Sequence, residues 1–293
     1  MGRRPTALID MDQPAPPIPD LARLAVHTMT HQPWSLAQCI AAYQPLGVSA
    51  LSVWRNTIDP NLGGVTPNDA GAMLRDAGFT VPALVRGGFF PAFEEPDRQQ
   101  ALDDNRRAID EAATINAEMV VLVVGAVPDM PLDEARMHVA DGIADLLDHA
   151  EARNIKLAIE PLHPMYAADR SCINRMAEAR EICQQLDHPL VGIALDVYHL
   201  WWDPDLEFEI RRAGQMGTLF AYHICDWRPL TRDLLNDRGL MGDGCIDLKS
   251  IRAAVEATGF TGHHEVEIFS DEYWAMDQAQ YAPKIIAAYL QYA

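Results

Sequence analysis

Four residues in this chain have the types needed to hold one cation, and each sits near the end of a short apolar run. Glu160 ends KLAIEPL (Lys156–Leu162), Asp196 lies in VGIALDVYHLW (Val191–Trp201), His223 in LFAYHICDW (Leu219–Trp227), and Glu267 in HHEVEIFS (His263–Ser270). Such runs, bounded by Pro189 or by Asp203-Pro204, read as strands buried on both faces. A carboxylate inside one must be paired, hydrogen-bonded or bound to a metal, because an uncompensated buried charge is costly. Three carboxylates with one imidazole suit a single hard or borderline divalent ion, Mn²⁺ first, with Mg²⁺, Co²⁺ or Zn²⁺ also accommodated. The four share no short-range spacing. The residues alone therefore leave two readings open: a metal-ligand set, or salt-bridged carboxylates at the mouth of a barrel. Glu265 shares a strand face with Glu267 and, lying deeper, suits pairing with a cation.

The elements that would position these groups alternate strictly. Apolar, β-branched runs at Arg23–Thr30, Gly47–Arg55, Thr80–Arg86 and Met119–Gly125 precede the four already named, giving eight expected strands. Between them lie amphipathic stretches with recognisable ends. Ser35 caps a helix running to about Leu46, Thr66-Pro67 opens one that Gly78 closes, and further helices are expected at Asp97–Ala117, Asp133–Arg153, Asp247–Thr258 and Asp277–Tyr292. Strict βα alternation implies parallel strands joined by right-handed crossovers, and eight units close an α/β barrel: a single (β/α)8 TIM barrel over 23–293, behind an N-terminal lead segment, 1–22. An open doubly wound sheet is disfavoured because neither GxGxxG nor GxxxxGK[ST] occurs. In the barrel all strand C-termini meet on one face, where barrel enzymes carry their chemistry. That face would also receive His27, Trp54 and Arg86 at the ends of strands one to three, and His163 just past Glu160. Trp54 suits an apolar wall and Arg86 a hydroxyl or carboxylate clamp; His163 either touches substrate or caps its loop. Ordinary rim packing is the competing reading for each.

The formal net charge of −19, from 42 acidic and 23 basic residues, argues against nucleic acid as a partner and, at long range, against acidic carbohydrates, although a local arginine or a metal would overrule the latter. No run of 18 or more apolar residues marks a membrane span, and five unpatterned cysteines read as reduced thiols, so the expectation is a cytoplasmic protein; a homo-oligomer is left open.

Together IEPLHP, ALDVYH, the strand-borne HICDW and GFTGHHEVEIF resemble the xylose isomerase-like barrel superfamily, close in pattern to inosose isomerases and ketose 3-epimerases. The resemblance implies metal ligands at Glu160, Asp196, His223 and Glu267. It implies that Glu160 and Glu267 also move protons, and that His199, three residues after the aspartate, binds substrate. The family's substrate-contacting arginine falls near Arg228 or Arg232, where this chain departs from the pattern with WRPLTRDLLNDRG. Met241-Gly242-Asp243-Gly244 resembles the family's GxG segment and reads as a rim element, not a phosphate cradle. The expected activity is divalent-metal-dependent isomerisation or epimerisation of a keto-sugar or inosose through a metal-stabilised enediolate. A lyase on the same scaffold is the alternative: dehydration of an inosose or a dehydroshikimate-type substrate, or cleavage of a 3-keto-glycoside. An abasic-site endonuclease needs a basic DNA-facing surface, which the charge opposes, and a non-catalytic sugar-binding barrel would not need a complete ligand set.

Overall fold

The computed structural model describes residue 18 and residues 20–293, so most of the expected lead segment lies outside the described residues. Eight parallel strands close a barrel: β1 (Leu24–His27), β2 (Leu51–Trp54), β3 (Val81–Gly88), β4 (Ala117–Val123), β5 (Lys156–Ile159), β6 (Val191–Asp196), β7 (Leu219–Ile224) and β10 (His264–Val266), the last pairing with β1 and β7. Two further two-residue strands, β8 (Asp226–Trp227) and β9 (Arg238–Gly239), form an antiparallel ribbon outside the barrel.

Every barrel strand faces the lumen with alternate residues, and the lumen layer is small. Ala83, Val85, Met119, Val121, Ala158, Ala194 and Ala221 form an inner apolar cluster separate from the large cluster between the strands and the helices. Because side chains repeat a face every second residue, the residue two positions beyond Ala158 is Glu160. Likewise Ala194 precedes Asp196, Ala221 precedes His223, and Ala25 precedes His27. A layer of methyl groups therefore floors a layer of polar groups.

Several strand ends fall short of the sequence expectation. The run Val191–Trp201 stops as a strand at Asp196, whose carboxylate accepts the Tyr198 N–H at 2.7 Å and caps a short helix, Val197–Leu200. Strand one ends at His27 before a 3-10 turn, strand five ends at Ile159, and strand eight ends at Val266. Hydrophobicity overruns these ends because the connecting loops are themselves buried: Val197, Tyr198, Leu200, Leu162 and Ile268 are all inaccessible. The expected helix Asp133–Arg153 is two, Leu132–Ala144 and Leu147–Arg153, broken at Asp145-Leu146. Four of the five cysteines are buried, and all five are free. No helix among the described residues is long and apolar enough to cross a membrane.

Candidate active site

Glu160, Asp196, His223 and Glu267 converge at the C-terminal mouth of the barrel, and each offers a ligand atom within 4.8 Å of the others. Asp196 and His223 sit in register on neighbouring strands β6 and β7. Glu160 and Glu267 stand one residue past β5 and β10, held by their own N–H groups donating to Leu122 and Ile224 carbonyls. All four are buried. A divalent ion reaching its donors at roughly 2.1–2.4 Å spans at most about 4.2–4.8 Å between opposite ligands, so this set matches one ion. The donor chemistry agrees, and His223 Nε2 is buried with no hydrogen-bond partner. The residues present fit a divalent metal.

The electrostatics of the cluster explain why a cation belongs there. Burial favours the neutral form of Asp196 and, with Glu267 and Glu160 nearby, pushes it up to about 7 against the opposing pull of Arg238. Burial works against protonated His223 as well, yet hydrogen bonding to Glu160 (Nδ1 to Oε1, 3.0 Å) and the charges of Glu265 and Glu267 carry it up to about 10. In the same layer His27 bridges Glu267 (3.0 Å) and Glu265 (3.4 Å), and Ser52 donates to Glu265 at 2.5 Å. In spite of burial, His27, Arg238 and His223 hold Glu267 well below the usual carboxylate range.

Arg238 is the residue that sequence reasoning missed. It lies on β9, which the ribbon with β8 folds back over the mouth, and its buried guanidinium reaches into the ligand set. Nη1 donates to Asp196 and Glu267 at 2.9 Å each, and Nη2 lies 3.2 Å from His199 Nε2. A guanidinium has only donors, so His199 Nε2 accepts and its proton sits on Nδ1. Burial and Arg238 together keep the His199 pKa well below the ordinary histidine value, consistent with that neutral tautomer. The signal was present in the sequence: a loop of nearly twenty residues inside a compact barrel is uncommon unless functional, and it carries Asp237-Arg238-Gly239. Asp226 fixes this loop by accepting N–H bonds from Trp227, Gly242, Gly244 and Ile246 at 2.8–3.0 Å. The glycine at 244 is required, since a Cβ there would lie 2.1 Å from the Trp227 carbonyl oxygen. The glycine-containing segment is thus a rim element whose amides are engaged by Asp226.

A cavity of about 160 Å³ opens above the cluster, lined by Glu160, Glu267, His199 and Arg238, with Trp54, Phe89, Leu162 and Phe269 as apolar walls and Arg86, Tyr166 and Arg170 at its edge. It is smaller than the roughly 300–1,000 Å³ of drug-sized sites and matches a small molecule. Two expected contacts lie outside it. His163 caps the turn Pro164–Tyr166, accepting the Met165 N–H at 3.2 Å, and its ring faces Trp227 and Trp202. Arg228 is engaged by Asp237 (3.2 Å) and Glu272 (2.9 Å) and stacks on Tyr273. Arg232 pairs with the same two carboxylates. Both arginines thus serve the loop, and the guanidinium at the cluster is Arg238.

A family model described as xylose isomerase-like TIM barrel matches residues 40–289. The chain belongs to that family. Among solved structures, protein SMc04130 from Sinorhizobium meliloti 1021 superposes on this xylose isomerase-like barrel with a TM-score of 0.87 at 45% identity, covering 92% of this chain and 98% of that one. The L-ribulose-5-phosphate 3-epimerase UlaE of Salmonella paratyphi C (strain RKS4594) is 26% identical over 204 residues, 68% of each protein. The inosose isomerase of Bacillus subtilis (strain 168) is 25% identical over 193 residues, 64% of this chain and 67% of its own. Both named relatives are enzymes.

Proposed function

We propose that this protein is a divalent-metal-dependent isomerase or epimerase of a keto-sugar or inosose. The observation that carries the reading is that two glutamates, on strands separated in the barrel by β6 and β7, border one small cavity and share one donor cluster. Glu160, Asp196, His223 and Glu267 would hold the ion, with Mn²⁺ preferred by the oxygen-rich set. Bound there, a divalent ion supplies Lewis-acid polarisation of a carbonyl.

The chain's own residues do the rest. Glu267, kept ionised by His27, Arg238 and His223, is in the form that accepts a proton from the carbon α to the carbonyl. Glu160 also borders the cavity and, having taken a proton from solvent, would deliver it to the opposite face or the neighbouring carbon, while Glu267 returns its own to solvent. Arg238 and neutral His199 present hydrogen-bonding groups that orient substrate oxygens, while Trp54, Phe89, Leu162 and Phe269 exclude water from the reacting carbon. The activities named for the relatives, 3-epimerisation and inosose isomerisation, are proton transfers beside a carbonyl and support the same reading.

The test is incubation of the Mn²⁺-loaded protein with a panel of ketoses, ketose phosphates and keto-cyclitols in D₂O, followed by NMR. Deuterium should enter at a carbon beside the carbonyl, and Glu160→Gln and Glu267→Gln should each abolish it while the fold persists. Near-parental turnover in both variants would reduce the carboxylates to structural ligands. A product short of one water would turn the assignment to the dehydratase alternative.

A further inference from the structure

Two guanidiniums at the cavity edge have no firm carboxylate partner. Arg86, in β3, lines the cavity with its guanidinium stacked on the Phe89 ring at 4.3 Å, and among the described residues its side chain forms no ion pair or hydrogen bond. Arg170, from the loop after β5, lines the same edge over the Tyr166 ring at 5.2 Å. Its nearest acid is the adjacent Asp169, at 3.6 Å and largely in solvent. In a chain with 42 acids to 23 basic residues, carboxylates are abundant. Neighbouring arginines take them in pairs: Arg55 holds Asp104 and Glu111, Arg175 holds Asp203 and Asp205, and Arg228 holds Asp237 and Glu272. Arg86 and Arg170 instead face each other's charge. Burial and the guanidiniums of Arg170 and Arg55 draw the Arg86 pKa below the ordinary arginine value against the more distant pull of Glu160 and Asp104, neither of which forms an ion pair with it.

We propose that the substrate carries an anionic group, a carboxylate or a phosphate, which Arg86 and Arg170 bind on the β3 side of the cavity. The inference rests on the cavity being the substrate site, as argued above. Stacking on Phe89 and Tyr166 fixes each guanidinium plane while leaving its N–H edge for an anion's oxygens, the geometry in which arginine recognises carboxylate and phosphate. The chain's net charge of −19 does not oppose this, because surface charges beyond about 8 Å are screened at physiological salt while two guanidiniums at contact distance are not. The long-range expectation against acidic carbohydrates is thereby overruled locally.

Isothermal calorimetry on the Mn²⁺-loaded full chain tests this with two matched pairs: a ketopentose 5-phosphate against the same ketopentose, and a keto-cyclohexane carboxylate against a keto-cyclitol. The anionic member of one pair should bind at least about tenfold more tightly. That ratio should fall toward one in Arg86→Gln and in Arg170→Gln, and should shrink as salt is raised. The pair that shows the preference identifies the anion. No preference in either pair, no binding by any of the four ligands, or a preference that survives both substitutions overturns the proposal. The readout is binding, so it separates from the reaction: absent deuterium exchange with the anionic preference intact refutes the proton-transfer reading alone, whereas exchange on neutral ketoses without a preference refutes the anion site alone.

Discussion

Arg238→Met removes the guanidinium that reaches between Asp196 and Glu267 while keeping much of the side-chain volume. Nη1 bonds Asp196 and Glu267 at 2.9 Å each, and all three groups are buried. Deleting one partner of a buried ion pair costs about 3–5 kcal/mol, because the remaining charge is left in a low-dielectric site. With roughly 2–4 °C per kcal/mol for a large single domain, the metal-free variant should melt about 6–20 °C below the parent at pH 7.5. Excess Mn²⁺ should narrow that gap. A ligand at about a hundred times its Kd adds about 2.7 kcal/mol, and the variant should gain more than the parent because only in the variant have Asp196 and Glu267 lost the guanidinium between them. Calorimetric scans in EDTA and in Mn²⁺ measure both effects. A metal-free variant melting within about 2 °C of the parent, or a gap that Mn²⁺ leaves unchanged, would refute the view that Arg238 neutralises the ligand carboxylates.

Metal binding should release protons, since imidazole and carboxylate must be deprotonated to ligate. His223, carried up to about 10 by Glu160, Glu265 and Glu267 against burial, and Asp196, raised to about 7 chiefly by burial, predict about two protons released at pH 6 and about one at pH 8. Apparent affinity therefore rises with pH until His223 is titrated; calorimetry in buffers of different ionisation enthalpy counts the protons, and none released at pH 8 contradicts the assignment. His199→Ala should raise KM while Mn²⁺ stoichiometry stays at one per chain; loss of the metal would instead make His199 a ligand. Asp226→Ala frees the amides of Trp227, Gly242, Gly244 and Ile246 and should expose the loop before the Leu248–Ala257 helix to limited proteolysis, with KM rising as Arg238 loses its position.

The barrel and the four converging ligand-type residues were legible in the sequence because both follow from local pattern. Apolar runs mark strands, and a charged residue at the end of such a run stands out against it. The strand ends were not legible where the loop beyond is as buried as the strand, as at Val197–Leu200. Arg238 escaped for a different reason. Its place depends on a two-residue ribbon and on one aspartate gathering four amides across twenty positions, none of which has a periodicity. The resemblance left Arg228 and Arg232 as alternatives, and sequence could not weigh them against Arg238 because the carboxylates that engage both, Asp237 and Glu272, are distant or unremarkable in sequence.

The alanines beneath the polar layer bear on how such a barrel changes its chemistry. Glu160, Asp196, His223 and His27 each rest one layer above a methyl group, at Ala158, Ala194, Ala221 and Ala25. In a jigsaw core a new side chain must fit the shapes around it, and misfits are penalised. Above such a floor the methyls below impose little shape, and Glu265 acts on His27 through charge, so substitutions in the polar layer are constrained by charge balance and hydrogen bonding more than by volume. New activities on this scaffold are then reachable by single replacements at the mouth, with the barrel below undisturbed.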